Sequence, residues 1–168
     1  TNVEKLNLLE KKYDKRFKSI QCDLSDNIQI NDLITKSREF YGSTNILINN
    51  AGITKDNLFL RMKDDEWNDV INLNLNSNYK LTKIVIKDMI KSKWGRIVNI
   101  SSDAAKIGNP GQSNYAASKS AIEGLTRTIA NEVASRGITV NCVAPGFVKT
   151  EILDSVDKKR LSMMEEKI

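Results

Sequence analysis

Four short apolar runs, Phe17–Cys22, Asn45–Asn50, Gly95–Ser101 and Ile138–Val143, alternate along the chain with longer segments of helical spacing, Asn27–Tyr41, Asp65–Ser92 and Asn114–Arg136. The runs are rich in Ile, Val and Leu and are bounded by turn-forming or polar residues, as strands apolar on both faces are. In the last helical segment Ile122, Leu125, Ile129 and Val133 recur at three- and four-residue steps and form one apolar stripe, and Gly137 follows as a helix stop. Strands alternating with helices predict an α/β domain with a parallel sheet covered by helices on each side.

A length of 168 residues suits about one domain. No apolar run approaches the ~18 residues of a membrane span, and no membrane partner is expected. The chain has no histidine, which excludes His-based hydrolysis and imidazole-held metal chemistry. Two cysteines, Cys22 and Cys142, are too few for a Cys-rich metal site, and a reducing compartment is expected. The net charge of +5 is spread over scattered lysines and arginines without interleaved aromatics, so nucleic acid is not an expected partner.

Three strand ends share an unusual punctuation. Asn45–Asn50 runs into Asn49-Asn50-Ala51-Gly52, Gly95–Ser101 into Ser101-Ser102, and Ile138–Val143 into Ala144-Pro145-Gly146. Each alone is ordinary turn chemistry. Together they stand at the carboxyl edge of one sheet, where open α/β sheets bind ligands. The pair Tyr115-x-x-x-Lys119 lies on a predicted helix, one turn apart on one face. A phenol titrates near 10, and an adjacent ammonium can pull that value down by about 1–3. A tyrosine tuned this way can pass a proton to or from an alcohol oxygen while hydride moves elsewhere. Such a pair also arises incidentally on helices, so its weight comes from context. Ser102 lies thirteen residues earlier at a strand end, and Asn74 sits inside the Asp65–Ser92 helix, where asparagine is disfavoured.

With Asn49-Asn50-Ala51-Gly52, Asn74, Ser102, Tyr115-x-x-x-Lys119 and Pro145-Gly146-x-x-x-Thr150 in this order and spacing, the chain resembles the short-chain dehydrogenase/reductases. Within them it is most similar to the bacterial-type 3-oxoacyl-[acyl-carrier-protein] reductases, in the stretches 51–63, 111–119 and 134–141. The resemblance implies a Rossmann-like doubly wound parallel sheet and NADPH-dependent (alternatively NADH-dependent) reduction of a 3-oxoacyl thioester in fatty-acid elongation. It implies Tyr115 as proton donor to the 3-keto oxygen, Ser102 as the group positioning that oxygen, Lys119 as ribose ligand, and Asn74 as holder of a water joining Lys119 to solvent. It places Thr1, Asp23 and Leu24 at the adenine side and Asn50, Ala51 and Gly52 beside the ribose. Pro145, Gly146, Val148 and Thr150 fall at the nicotinamide carboxamide. Lys93 and Arg136 match the basic residues beside the cleft that dock an acidic acyl carrier protein, with lysine standing where the family has arginine. A homotetramer built on the helices Asp65–Ser92 and Asn114–Arg136 is implied as well. So is a cytoplasmic location, or the plastid stroma if an import segment precedes Thr1.

Set beside that pattern, the glycine-rich pyrophosphate turn of the first βαβ unit and the last strand are not in the 168 residues, so the sequence reads as a fragment of one such domain. In this reading Phe17–Cys22 is an outer strand separated from Asn45–Asn50 by a strand that is missing. Asn45 stands where the family has aspartate. Rival readings are the same chemistry on another carbonyl, such as acetoacetyl-coenzyme A, a sugar or a cyclic alcohol, and a catalytically silent binding or scaffold member.

Overall fold

The computed structural model describes residues 3–146 and 148. Helix α1 spans Val3–Tyr13, and α2 spans Asn27–Tyr41. The bounds of α2 follow from local chemistry. The Asp26 carboxylate caps its start by accepting from the Ile28 N–H at 2.8 Å, and Gly42, at φ 72°, ends it by donating to the Arg38 carbonyl. Strand β1 is Ile46–Asn49, β2 Gly95–Ile100 and β3 Ile138–Val143, joined in the parallel order β1-β2-β3 with Ile46 opposite Arg96 and Gly95 opposite Ile138.

Between β1 and β2 the expected single helix is three pieces: α3 (Asp64–Val70), a π-helical turn over Ile71–Asn76, and α4 (Ser77–Ser92). Asp64, Asp65 and Glu66 crowd the first turn of α3, where the helix dipole favours anions, and Glu66 Oε2 accepts from the Lys63 N–H at 2.8 Å. The short α5 (Ala104–Ile107) follows β2, and α6 (Ser113–Val133) leads to β3.

The core lies on one side of the sheet. Ile30 and Ile34 of α2, Leu81, Val85 and Met89 of α4, Ile97 of β2, Val133 of α6, and Ile138 and Val140 of β3 form one buried cluster. Each such side chain contributes about 1.5–3 kcal/mol. The expected cover on both faces is not seen among the described residues: Ile46, Ile48 and Val143 on the opposite face are 57%, 61% and 48% exposed. Handedness explains this. Two successive right-handed crossovers, β1 to β2 and β2 to β3, step the same way and put α4 and α6 on the same face.

A second difference concerns Phe17–Cys22: as expected it pairs with no strand among the described residues, but without that pairing it is not a strand. The Phe17 N–H donates to the Asp14 carbonyl at 3.1 Å, and side chains meet the Ser19 N–H and the Asp23 N–H that follows the run. Glu10 of α1 takes both the N–H and the hydroxyl of Ser19 at 2.7 Å, and Gln29 of α2 takes the Asp23 N–H at 2.9 Å. An apolar run becomes a strand only where a ladder partner lies beside it, and none does here. No described helix is long and apolar enough to cross a membrane.

Candidate active site

Tyr115 and Lys119 lie one turn apart near the start of α6. Lys119 is 4% exposed. Its Nζ donates to the Ile100 carbonyl at 2.7 Å and sits 5.6 Å from the centre of the Tyr115 ring. Burial pulls the pKa of this ammonium below the usual lysine value, opposed in part by Cys142 on β3. The bond to Ile100 brings the cation to the carboxyl end of β2, where Ser101 and Ser102 follow. The Ser101 hydroxyl reaches the Lys119 carbonyl at 3.2 Å and Glu123 Oε1 at 3.0 Å, tying the strand end to α6 again. The Ser102 hydroxyl donates to Asp103 Oδ1 at 3.0 Å and accepts from the Ala104 N–H at 3.2 Å.

The loop after β3 is fastened to the loop after β2. The Ser101 N–H donates to Val143 and the Asp103 N–H to Pro145, at 2.7 and 3.0 Å. Pro145 and Gly146 therefore stand beside Ser102, and a Cβ on Gly146 would lie 3.8 Å from the Asp103 carboxylate. Val148 is exposed; Thr150 and Thr1 lie outside the described residues.

Asn74 is buried in the π-helical turn, a form frequent at functional sites. Its Oδ1 accepts from the Ile53 N–H at 2.9 Å, and its Nδ2 donates to the Ile53 carbonyl and the Ser118 hydroxyl at 3.0 and 3.1 Å. Gly52 permits this closeness. A Cβ there would fall 3.3 Å from Asn74 Oδ1 and 3.6 Å from Lys119 Nζ. The ends of β1, the π turn and α6 thus converge on one point. A small cavity there is lined by Leu24, Asn50, Ala51, Asn74 and Lys119.

Asp23 and Leu24 line a larger cleft, of about 1080 Å3, with Ala51, Ile53 and Leu73. Leu24 and Ala51 border both spaces. The hydroxyl and then the backbone N–H of Ser25, each bonded to Asp23 Oδ1, hold the exposed Asp23 carboxyl below its usual range, so it is an acceptor at neutral pH. Together these residues offer a flat ligand a carboxylate acceptor at one end and a buried cation with a phenol at the other.

Lys93 and Arg136, expected beside the cleft, are instead brought next to each other at the other end of the sheet. Lys93 ends α4 in the left-handed region at φ 53°, and Gly137, at φ 72°, packs on its carbonyl so closely that a Cβ there would clash. The pair precedes β2 and β3, whereas Ser102 and Pro145 follow them. Six strand residues at ~3.3 Å each separate the two places by about 20 Å.

Several buried polar residues around the site escaped sequence reasoning. Asn114 and Ser118 flank Tyr115 and Lys119, and Asn99 joins Asn49, Asn78 and Thr126 beneath them. Asparagine recurs throughout this chain, so composition does not mark Asn99 or Asn114 out; position within the 111–119 stretch, beside Tyr115 and Lys119, is the available signal for Asn114 and Ser118.

Residues 1–161 match the family model described as short chain dehydrogenase. The 3-oxoacyl-[acyl-carrier-protein] reductase of Pseudomonas aeruginosa is 52% identical over 130 residues, 77% of this chain and 53% of that protein. The reductase of the same name from Escherichia coli K12 is 45% identical over 150 residues, 89% of this chain and 62% of that protein. The one from Rickettsia conorii is 44% identical over all 168 residues and 68% of its own length. The chain therefore spans between about half and two thirds of the curated relatives it matches.

Proposed function

Because this chain belongs to the short-chain dehydrogenase family, we propose that the protein of which it forms part reduces 3-oxoacyl thioesters carried by an acyl carrier protein, with NADPH as reductant, in fatty-acid synthesis. The observation that carries the reading is the buried Lys119 ammonium held against the Tyr115 ring beside Ser102. Identity of 44–52% to reductases of that name supports the substrate class.

The residues present fit a nicotinamide dinucleotide. Asp23 offers an acceptor for the adenine amino group, followed by Leu24. Gly52, whose missing side chain leaves the approach to Lys119 clear, lies with Asn50 and Ala51 on the ribose side. Pro145, Gly146 and Val148 border the nicotinamide end. When bound, the reduced cofactor supplies hydride to the 3-keto carbon.

The chain's own part is to receive the negative charge that develops on the keto oxygen. Ser102 turns its hydroxyl from Asp103 to donate a hydrogen bond to that oxygen, keeping its proton. Tyr115 transfers its phenolic proton to the same oxygen, giving the 3-hydroxyl. Lys119, too deeply placed for bulk water to screen, steadies the phenolate left behind. Asn74 orders the path by which Tyr115 recovers a proton through Lys119. In this reading Lys93 and Arg136 grip the acidic carrier, whose acyl arm spans the length of β2 to reach Tyr115. The active form is a homotetramer in the cytoplasm.

The test is NADPH oxidation with an acetoacetyl thioester, using the full reading frame that encodes this chain, with Tyr115→Phe as control. Turnover that the substitution abolishes supports the reductase. A folded, NADPH-binding wild type with no turnover overturns the substrate assignment.

A further inference from the structure

Helix α6 begins without a conventional cap: Gln112 at its N-cap makes no side-chain bond to the first turn. Asn114 supplies the missing acceptor. Its Oδ1 takes the N–H of Tyr115 itself at 2.7 Å. The same amide faces outward from the helix with its donors, and Nδ2 bonds the Lys55 carbonyl at 2.9 Å and the Glu66 carbonyl at 3.1 Å. Asn114 is fully buried, at 0% exposure. One planar group therefore joins the backbone that carries the phenol, the loop that follows Gly52, and helix α3.

Neighbouring bonds make those two anchor points rigid. The Asn57 N–H donates to the Gly111 carbonyl at 2.9 Å, and Gln112 Nε2 reaches Asp56 Oδ2 at 3.0 Å, so the 55–57 loop is fixed to the approach of α6. Glu66 is held through its carboxylate by the Lys63 N–H and Asn57 Nδ2 at 2.8 and 3.1 Å.

We propose that Asn114 is a positioning residue for the proton donor: its amide bridge to Lys55 and Glu66 fixes where Tyr115 stands relative to the loop after β1. The assignment rests on the reductase reading above. A planar amide is needed. A hydroxyl at this place is too short to reach either carbonyl or to align with the next residue's N–H, and a carboxylate keeps the bond to Tyr115 while turning an acceptor toward two acceptors, which repel it.

Asn114→Ser, Asn114→Asp and Asn114→Ala in the full reading frame separate the bridge from the cap. With NADPH and an acetoacetyl thioester, kcat is expected to fall about 10-fold or more in all three, since small misplacements of a reacting group are costly. KM for the thioester and the NADPH dissociation constant are expected to stay within about threefold, because the substrate-binding groups are untouched. Wild-type kcat in the Asp variant overturns the proposal, because a cap alone then suffices, and wild-type kcat in the Ser or Ala variant overturns it because neither bond is then needed. Loss of kcat only in proportion to loss of folded protein, read by near-ultraviolet circular dichroism, also overturns it in favour of a purely structural anchor. Failure of all three variants to fold has the same meaning. A wild type that binds NADPH without turnover overturns the reductase reading, and this assignment with it.

Discussion

The Lys119 ammonium donates to the Ile100 carbonyl at 2.7 Å, so a cation from the first turns of α6 is fastened to the last residue of β2. That bond sets the geometry of the whole edge. Ser101 and Ser102 continue from Ile100, and the loop after β3 is tied to them in turn. The described hydrogen-bond partner of Lys119 is a neutral carbonyl. Its charge therefore has no carboxylate partner among the described residues and lies 5.6 Å from the centre of the Tyr115 ring.

A lysine with a lowered pKa leaves a signature in stability against pH. Between its folded pKa and the ordinary value of 10.5 the unfolded chain binds the extra proton, so stability rises with pH across that window. Below the folded pKa both states are protonated, and the contribution has been lost in full. Lys119→Met is expected to remove this upward slope. Urea unfolding of both proteins at several pH values up to about 10 measures it, and a difference between them that is flat with pH contradicts the argument.

Gly52→Ala probes the convergence of β1, the π turn and α6. The new methyl meets Asn74 Oδ1 at 3.3 Å and Lys119 Nζ at 3.6 Å. Asn74 cannot retreat without loosening its bonds to Ile53 and Ser118. A stability loss of about 1–3 kcal/mol is expected, the usual range for overpacking. Turnover should fall roughly 10-fold, since Lys119 is the other neighbour displaced. Chemical denaturation and NADPH oxidation on one preparation check both, and unchanged values would show that this closeness has no role.

Much of this edge was legible from residue order. Helix α2 and strand β3 have the bounds expected of them, Asn27–Tyr41 and Ile138–Val143, because Asp26 and Gly42 bracket the first and Gly137 opens the second. Tyr115, Lys119, Ser102, Asn74 and Gly52 were picked out by spacing and resemblance, and Asp23 and Leu24 fall on one cleft with Ala51. The π turn was not legible, since Ile71–Asn76 carries no composition that separates it from a helix. Phe17–Cys22 has the apolar content of a strand, and the missing neighbour expected for it is not seen among the described residues, so its apolar content does not become a ladder. The second covered face is not seen among the described residues, where the two crossovers put α4 and α6 on one side of the sheet.

Asn99 shows how much stability sits in the polar layer that sequence reasoning passed over. It is fully buried. Its Oδ1 accepts from Asn49 Nδ2 at 2.8 Å and Asn78 Nδ2 at 3.1 Å, and its Nδ2 donates to Thr126 Oγ1 at 2.8 Å. Asn99→Ala leaves the buried Asn78 of α4 and Thr126 of α6, and the half-buried Asn49 of β1, each short of a bond, at about 1–3 kcal/mol for each buried group left unsatisfied. An overall loss of about 2–4 kcal/mol is expected from urea unfolding. A loss below about 1 kcal/mol would mean that water or rearrangement replaces the bonds.

Lys93 and Arg136 carry the sharpest prediction about the substrate, because they stand away from the chemistry. Both are exposed, adjacent through the Gly137–Lys93 contact, and about 20 Å from Ser102 along β2. Lys93→Glu with Arg136→Glu therefore leaves Tyr115, Lys119 and the cofactor-facing residues in place. Turnover of a free acetoacetyl thioester is expected to stay within about twofold, while turnover of the carrier-linked substrate falls 10-fold or more, roughly what losing two charge contacts to an acidic partner implies. The loss should appear in KM and weaken as salt is raised, since screening already reduces the attraction in the wild type. Equal loss on both substrates would place the effect in the fold. No loss on either would remove Lys93 and Arg136 from carrier recognition.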